Sequence, residues 1–322
     1  MEETFGWCVV GCGHIAKKVI NQLRDTRHKV VAAYNRNYQK AEAFTQEFGG
    51  TAYKTLEEAV KAKGVQCVYI ATANESHGTL TKQCINLGVP VLCEKPFALN
   101  EREAKEVIDL AKQKKVYVAE AMWTWHDDVP LRIREVVKGG NIGKIKKAKL
   151  KFSFPMLKPG DTTSRLVNPA LGGGCLLDIG IYPIRYAYEL FGMPKALKAK
   201  ATLFNGVDID DKVTMIYDDF NVETQFSFAK LRGESLSLVG SDGRITNQLF
   251  HMSLNARVSG KNPEKILGHG MLYGYIEEFD HTAKDVLAGK LESNYIPHQA
   301  TIDTMKLLDE SRMQMGVVFP GD

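Results

Sequence analysis

The sequence predicts two fold classes in one chain. The first is α/β, a doubly wound parallel sheet; the second is α+β, a large, mostly antiparallel sheet with helices on one face. Three observations predict this. Short apolar runs alternate with helical stretches up to about Glu120. A glycine-rich turn, Gly11-Cys-Gly-His-Ile-Ala16, directly follows the first run. Beyond Met122 the pattern changes to long stretches of period two. We therefore expect a dinucleotide-binding domain over 1–122 and a substrate-binding and oligomerisation domain over 123–322.

In the first part, residues 5–10 read as a strand and 16–23 as a helix. A second strand follows at 30–34, a helix at 39–48 that stops at Gly49-Gly50, and a short helix at 56–61. The third strand is 65–71, followed by a helix at 78–87 closed by Gly88. The fourth strand is 89–93. Asn100-Glu-Arg-Glu103 has capping-box spacing and opens a helix to about Lys114, before a fifth strand at 116–120. The continuous apolar character of these strands fits burial on both faces. In the second part, strands are expected at 145–154, 196–203, 212–217, 221–228, 234–240 and 244–248, the last after the turn Ser241-Asp-Gly243. Closing helices are expected at 273–289 and 299–315, the last packing back near the first domain.

Composition excludes several classes. The 322 residues are 44% hydrophobic and 25% charged, as in ordinary globular proteins. Forty-two basic against 38 acidic residues leave +4, too mild to argue for nucleic acid or an anionic membrane. The densest basic stretch, Lys144 to Phe152, alternates Lys147, Lys149 and Lys151 with apolar residues, so it reads as a strand with one wet face. No stretch approaches ~20 apolar residues. Met1-Glu-Glu-Thr carries acids where a signal peptide carries Lys or Arg, and the six cysteines are scattered; we expect a cytoplasmic, reducing location. Histidine spacing suggests no metal site.

The glycine turn suits a pyrophosphate. Gly11 allows the tight turn, Gly13 removes a Cβ from the phosphate's path, and Ala16 keeps helix and strand close, with His14 and Ile15 opening the helix. At the end of the second strand, NAD enzymes usually place Asp or Glu. This chain has Asn35 and Arg36, which favours the 2′-phosphate of NADP over NAD; the alternative is that Arg36 merely stacks on adenine or faces solvent. Glu94-Lys95-Pro96 ends the fourth strand. Lys95 can supply positive charge beside an oxygen that becomes alkoxide-like during hydride transfer. Pro96 restricts Lys95 to extended geometry.

With Ala71-Thr-Ala-Asn-Glu-Ser-His77 and Gly172-Gly-Gly-Cys-Leu-Leu-Asp178-Ile-Gly-Ile-Tyr182 added, the chain resembles the glucose–fructose oxidoreductase / inositol dehydrogenase / MocA family over nearly its whole length. The branch with dimeric dihydrodiol dehydrogenase and sugar 1-dehydrogenases is the most similar, because Tyr182 stands where the family often has His. The resemblance implies an NAD(P)-dependent oxidoreductase acting on a sugar, polyol or cyclic diol in a cleft between the domains. It implies a cis bond at Pro96, Lys95 and Tyr182 in proton transfer, and Asp178 positioning substrate hydroxyls. A phenol needs a nearby cation to act as base at neutral pH. Asp178 and Tyr182, four apart in an apparent helix, share a face, and Gly172-Gly-Gly174 gives a flexible start to it. Ala71, Thr72, His77 and Glu94 flank the cofactor by the same resemblance. Trp123 and Phe154 would wall the substrate pocket, although His77 could be structural and both aromatics could be core. Trp125 replaces an Arg common in that branch. Arg165 sits in a polar loop, more a solvent segment than a cover. Relatives associate through the open face of the second sheet, so a homodimer or homotetramer is expected. The alternatives are an enzyme with tightly held cofactor performing transient oxidation, and a non-catalytic NAD(P) sensor.

Overall fold

β1 (Phe5–Val10) starts a six-stranded sheet whose other strands are β2 (His28–Tyr34), β3 (Thr51–Tyr53), β4 (Cys67–Ile70), β5 (Val91–Glu94) and β6 (Val118–Ala121). The order is β3-β2-β1-β4-β5-β6, and every pair is parallel. The sheet reverses direction of winding at β1 and β4, which brings the ends of those two strands together as a ligand crevice. The computed structural model describes residues 3–322 apart from Pro159, Ser253 and Gly321.

The connecting helices are α1 (His14–Gln22), α2 (Tyr38–Phe48), α3 (Leu56–Val60), α4 (His77–Asn86) and α5 (Glu101–Lys114). Sequence reasoning missed β3, a three-residue edge strand too short to show a period. The expected capping box at Asn100 is half formed. Asn100 accepts from the Glu103 amide at 2.8 Å, but the Glu103 carboxylate turns to the Leu99 amide at 3.1 Å. A complete box caps α3, between Thr55 and Glu58. Cys8, Cys67 and Cys93 are fully buried in strands, and burial pushes each thiol up, so they behave as small apolar groups.

The second sheet has eight strands: β7 (Ile145–Ser153), β8 (Ala196–Phe204), β9 (Val207–Ile216), β10 (Asn221–Ser227), β11 (Gly233–Gly240), β12 (Arg244–Gln248), β13 (Asn255–Ser259) and β14 (Glu264–Leu267). All pairs are antiparallel except β10 with β7. The short strands β13 and β14, at one end of the sheet, were missed. α6 (Asp128–Lys138) and α7 (Ile181–Phe191) belong with this sheet. On β7, Ala148, Leu150 and Phe152 are buried, while Lys147, Lys149 and Lys151 point the other way. Their neighbours on the open face include Lys198, Lys200 and Lys212. Glu223 lies between Lys149 (3.3 Å) and Lys212 (3.8 Å). Asp210, at the end of β9, is already held by Arg232 and Lys230.

The compact units do not follow a single cut. Residues 1–123 group with 272–301, and 124–271 with 302–322. The reason is visible in α8 (Met271–Leu287) and α9 (His298–Met315). Phe279 of α8 packs on Trp7 and Tyr69, with ring centroids 4.4 and 5.1 Å apart. Asp280 accepts from Arg27 at 2.8 Å and from His28 at 3.1 Å, and His28 in turn accepts from the Trp7 indole at 3.0 Å. α9 divides between the units: its start, 298–301, groups with the first, where Thr301 donates to Glu120 at 3.0 Å, and 302–315 group with the second. Tyr188 donates to Asp303 at 2.8 Å, the fully buried Arg185 to Thr304 at 3.2 Å, and the Gln314 amide brackets the β8 edge at Ala199 and Leu197.

Candidate active site

The two glycines of the β1–α1 turn do different jobs. Gly11 has φ +94°, and a Cβ there would stand 2.7 Å from the Ala71 carbonyl oxygen and the Thr72 methyl. It is required by the end of β4. Gly13 has nothing within 4 Å of a built Cβ. It caps α1 in an extended conformation with no side-chain hydrogen bond. Open space therefore lies ahead of a helix N-terminus, the arrangement that takes a pyrophosphate. His14 is exposed and Ile15 half-buried beside it, while Ala16 is buried against the sheet. These residues fit a nicotinamide dinucleotide.

Asn35 does not stand in for the missing acid. Its carbonyl oxygen accepts from the Cys12 amide at 3.2 Å and its amide donates to Asn37 at 3.0 Å, so it braces the glycine turn. Arg36 is exposed. The charge it faces is Glu75, whose carboxyl is pushed up mainly by burial and pulled back by Arg36.

Lys95 is held by its backbone. The Lys95–Pro96 bond is cis. The Lys95 amide donates to Glu94 at 3.2 Å and the Phe97 amide to Glu120 at 3.2 Å. Glu94 also accepts from Tyr69 at 2.7 Å, and Glu120 from Thr301 at 3.0 Å. Both carboxylates are almost fully buried, as is Glu278 of α8. Burial first, then Glu94 and Glu120, push the Glu278 carboxyl well up, and neither of its oxygens has a hydrogen-bond partner. His77 is buried. Its Nδ1 lies 2.8 Å from the Pro96 carbonyl and its Nε2 3.3 Å from that of Thr72. Burial lowers its pKa, so the ring is neutral and donates to one carbonyl, the nearer being Pro96.

In the second unit, the glycine run is not a flexible start but close packing. A Cβ on Gly173 would meet the Arg165 carbonyl at 2.8 Å. One on Gly174, at φ +115°, would sit 2.4 Å from Asp208, and one on Gly180 2.5 Å from Phe226. Asp208 uses the space at Gly174 to accept from the Leu176 amide at 2.6 Å, capping the helix start from β9. Cys175, Asp208 and Asp211 converge there within 4.8 Å, all buried. Burial first, then Asp208, hold the Asp211 carboxyl well above the carboxylate range. Leu176–Gly180 forms a wide π-type turn before α7, so Asp178 lies outside the regular helix that the four-residue spacing assumed. Asp178 is partly exposed and 3.6 Å from Arg165, whose side chain is 59% exposed, as expected of a polar solvent loop. Tyr182 is 8% exposed and lies in a ring cluster with Phe152 (5.9 Å) and His251 (5.5 Å). His251 was missed because no motif surrounds it. Phe154 follows the end of β7, edge-on to Phe152 at 5.9 Å. Trp123 is buried in the first unit against Gly274 and Tyr275 of α8, with 5.1 Å between the Trp123 and Tyr275 rings. Trp125 is core, packed on Tyr186 at 4.9 Å.

A parallel sheet of this order, open at Gly13 and carrying a braced lysine at the end of β5, defines a nicotinamide-dependent oxidoreductase. A sequence model described as "Oxidoreductase family, NAD-binding Rossmann fold" matches residues 5–122, and the GFO/IDH/MocA C-terminal domain matches residues 131–246. The chain belongs to the glucose–fructose oxidoreductase / inositol dehydrogenase / MocA family, and its cofactor is NAD or NADP. It is 29% identical over 333 residues to trans-1,2-dihydrobenzene-1,2-diol dehydrogenase of Mus musculus, covering 98% of each chain. It is 29% identical over 327 residues to scyllo-inositol 2-dehydrogenase (NADP(+)) of Bacillus subtilis (strain 168), again covering 98% of each. Among solved structures, the 3-ketoreductase KijD10 of Actinomadura kijaniata, in complex with NADP and TDP-benzene, shares the fold. Its TM-score is 0.85 at 20% identity, over 97% of this chain and 98% of that one. Among the described residues, no helix is long and apolar enough to cross a membrane.

Proposed function

We propose that this protein is a dehydrogenase or reductase, using NADP in preference to NAD, that acts on a carbinol or carbonyl carbon of a sugar, polyol or cyclic diol. The observation that carries the reading is the brace on the Lys95 turn: two buried carboxylates accept the amides on either side of the Lys95–Pro96 bond. Such bracing fixes where an ammonium sits, which is what charge stabilisation at a reacting oxygen demands. The names of the relatives, a dihydrodiol dehydrogenase and an inositol dehydrogenase, support a hydroxylated ring substrate.

When bound, the nicotinamide accepts or returns the hydride. Lys95 supplies positive charge beside the substrate oxygen, and Tyr182 takes or gives the proton at its phenolic oxygen. Asp178 accepts from a neighbouring substrate hydroxyl, with the Arg165 guanidinium 3.6 Å away. Gly13, His14 and Ile15 receive the pyrophosphate, Arg36 the 2′-phosphate, and Ala71, Thr72 and His77 line the cofactor side. Phe154 flanks the substrate; Trp123, buried on α8, supports the wall from behind. The enzyme works in the cytoplasm as a homodimer, or a dimer of dimers, through the open face of the second sheet.

The test is steady-state kinetics on a panel of sugars, polyols and dihydrodiols with NADP(H) and NAD(H). Lys95→Met should abolish turnover and leave cofactor affinity within a few-fold, and Tyr182→Phe should cut kcat by ~10²-fold or more. Turnover by Lys95→Met close to wild type would remove the proposed charge role. A wild-type protein that binds cofactor and turns over nothing in the panel would refute the reading.

A further inference from the structure

We propose that Cys175, Asp208 and Asp211 form a binding site for a divalent metal ion of zinc's class, buried between β9 and the turn that leads into α7. The three ligand atoms, a sulfur and two carboxylate oxygens, lie within 4.8 Å of one another. The residues are 0%, 1% and 3% exposed. No histidine takes part, so the histidine spacings that mark many zinc sites in a sequence carry no trace of this one.

The local backbone brings these groups together. Asp208 and Asp211 are three residues apart, and a regular strand would put them on opposite faces. The ladder with β8 shifts register here: Leu203 pairs with Asp208 and Thr202 with Asp210, so Ile209 is an extra residue. This bulge turns both acids inward, where each is buried. On the helix side, Gly174 leaves the space that Asp208 fills, since a Cβ there would stand 2.4 Å from its carboxylate. The Leu176 amide donates to Asp208 at 2.6 Å and orients it, as the outer partner of a metal ligand does. Cys175 Sγ lies 3.4 Å from Asp211 Oδ2. A tetrahedral zinc ion holding sulfur at about 2.3 Å and oxygen at about 2.0 Å sets those two atoms about 3.5 Å apart.

What the cluster lacks is positive charge. Asp211 Oδ1 is fully buried and has no hydrogen-bond partner among the described residues. Among those residues neither Asp208 nor Asp211 has an ion-pair partner: Lys230 and Arg232 are both engaged by Asp210, their neighbour on β9. Buried charges are paired or coordinate a metal. A thiolate with two carboxylates suits zinc better than magnesium or calcium, which take oxygen ligands. Binding forms the metal–sulfur bond and releases the thiol proton to solvent. The fourth position falls to water or to the Phe226 carbonyl, 3.9 Å from the thiol. An ion here ties β9 to Leu176–Gly180 and so fixes the start of the helix that bears Tyr182. Its part is structural, and it takes no share in hydride transfer.

The test uses the full chain, stripped with a chelator and refolded from denaturant with Zn²⁺ or Co²⁺, because a site this buried loads as the chain folds. Wild type should keep about one metal ion per chain through gel filtration, by elemental analysis, and melt at a higher temperature than the stripped protein. The Co²⁺ form should show a thiolate-to-metal charge-transfer band. Cys175→Ser should abolish that band. Asp211→Asn should weaken Zn²⁺ binding at least about 100-fold, beyond what loss of an outer partner costs. Should either variant fail to fold, wild type alone still decides: Zn²⁺ should protect Cys175 from alkylation in mild denaturant, mapped by mass spectrometry. Wild type that holds neither ion after refolding, a charge-transfer band that survives Cys175→Ser, or Cys175 alkylation indifferent to Zn²⁺ would overturn the site and leave a protonated acid pair in its place.

Discussion

On the proposed reading, cofactor choice turns on one exposed guanidinium, Arg36, and its removal has a calculable effect. Asn35 is committed to the Cys12 amide, so Arg36 is the cation at the end of β2 that can meet a 2′-phosphate. That phosphate carries nearly two charges at neutral pH. At about 4 Å in a water-like medium each unit pair is worth about 1 kcal/mol, so the contact contributes about 2 kcal/mol, or about 30-fold in Kd. Arg36→Ala should therefore weaken NADPH about 30-fold and move NADH less than about two-fold, read by fluorescence titration of nicotinamide binding. Because Arg36 is exposed, the difference should shrink as ionic strength rises from about 0.01 to 1 M. Glu75 gives an opposite arm. It shares the field of Arg36, so Glu75→Gln should tighten NADPH and spare NADH. Equal weakening of both cofactors by Arg36→Ala, or no change in either, would refute the assignment and return Arg36 to solvent or adenine stacking.

Three other outcomes follow from the packing. The His28 and Arg27 contacts hold the Asp280 carboxyl down from 3.8 to about 2, so its contribution is present above about pH 4 and lost as pH falls through 2. The full shift corresponds to about 2 kcal/mol, and solvent access reduces it to about 1 kcal/mol; Asp280→Asn should lose about that much at pH 5 and much less at pH 2.5 in denaturant melts. Gly180→Ala places a methyl 2.5 Å from the Phe226 ring, and should destabilise by about 1–3 kcal/mol, measured by thermal unfolding. Six lysines beside the single Glu223 oppose their own image across a twofold axis, so a dimer through this face should tighten with salt in sedimentation experiments; weakening with salt would locate the interface elsewhere.

The parallel sheet was legible because its strands are continuous apolar runs punctuated by glycine, and burial on both faces permits little else. β7 through β12 were legible from period two. β3, β13 and β14 were not, since three to five residues carry too little pattern to distinguish from a loop. On the site, the sequence put Lys95 at the end of a strand and Tyr182 in a helix, where the structure has them after β5 and in α7, but it put Asp178 in the same regular helix, where the structure has a π-type turn. It gave no sign of His251 or the Arg165–Asp178 pair. Those come together only through tertiary structure: a positive-φ turn at Leu249 and the fold of the 165–174 loop.

The glycines show most clearly what kind of information the sequence carried. Gly172-Gly-Gly174 suggested freedom of movement, yet two of these residues, with Gly180 beyond them, are fixed by what would collide with a side chain: a carbonyl, a carboxylate and an aromatic ring. At Gly11 the obstacle is the Ala71 backbone; of the two glycines in that turn, Gly13 is the one that opens onto empty space. A glycine signature is therefore a statement about distances of approach, and it yields a ligand site only where nothing of the protein occupies the missing Cβ. By that criterion the dinucleotide turn marks its phosphate site at Gly13 alone. The same criterion makes the second run a device for seating Asp208 under the helix that carries Tyr182, so the proton chemistry proposed here depends on a contact that Gly174→Ala would break without touching either catalytic side chain.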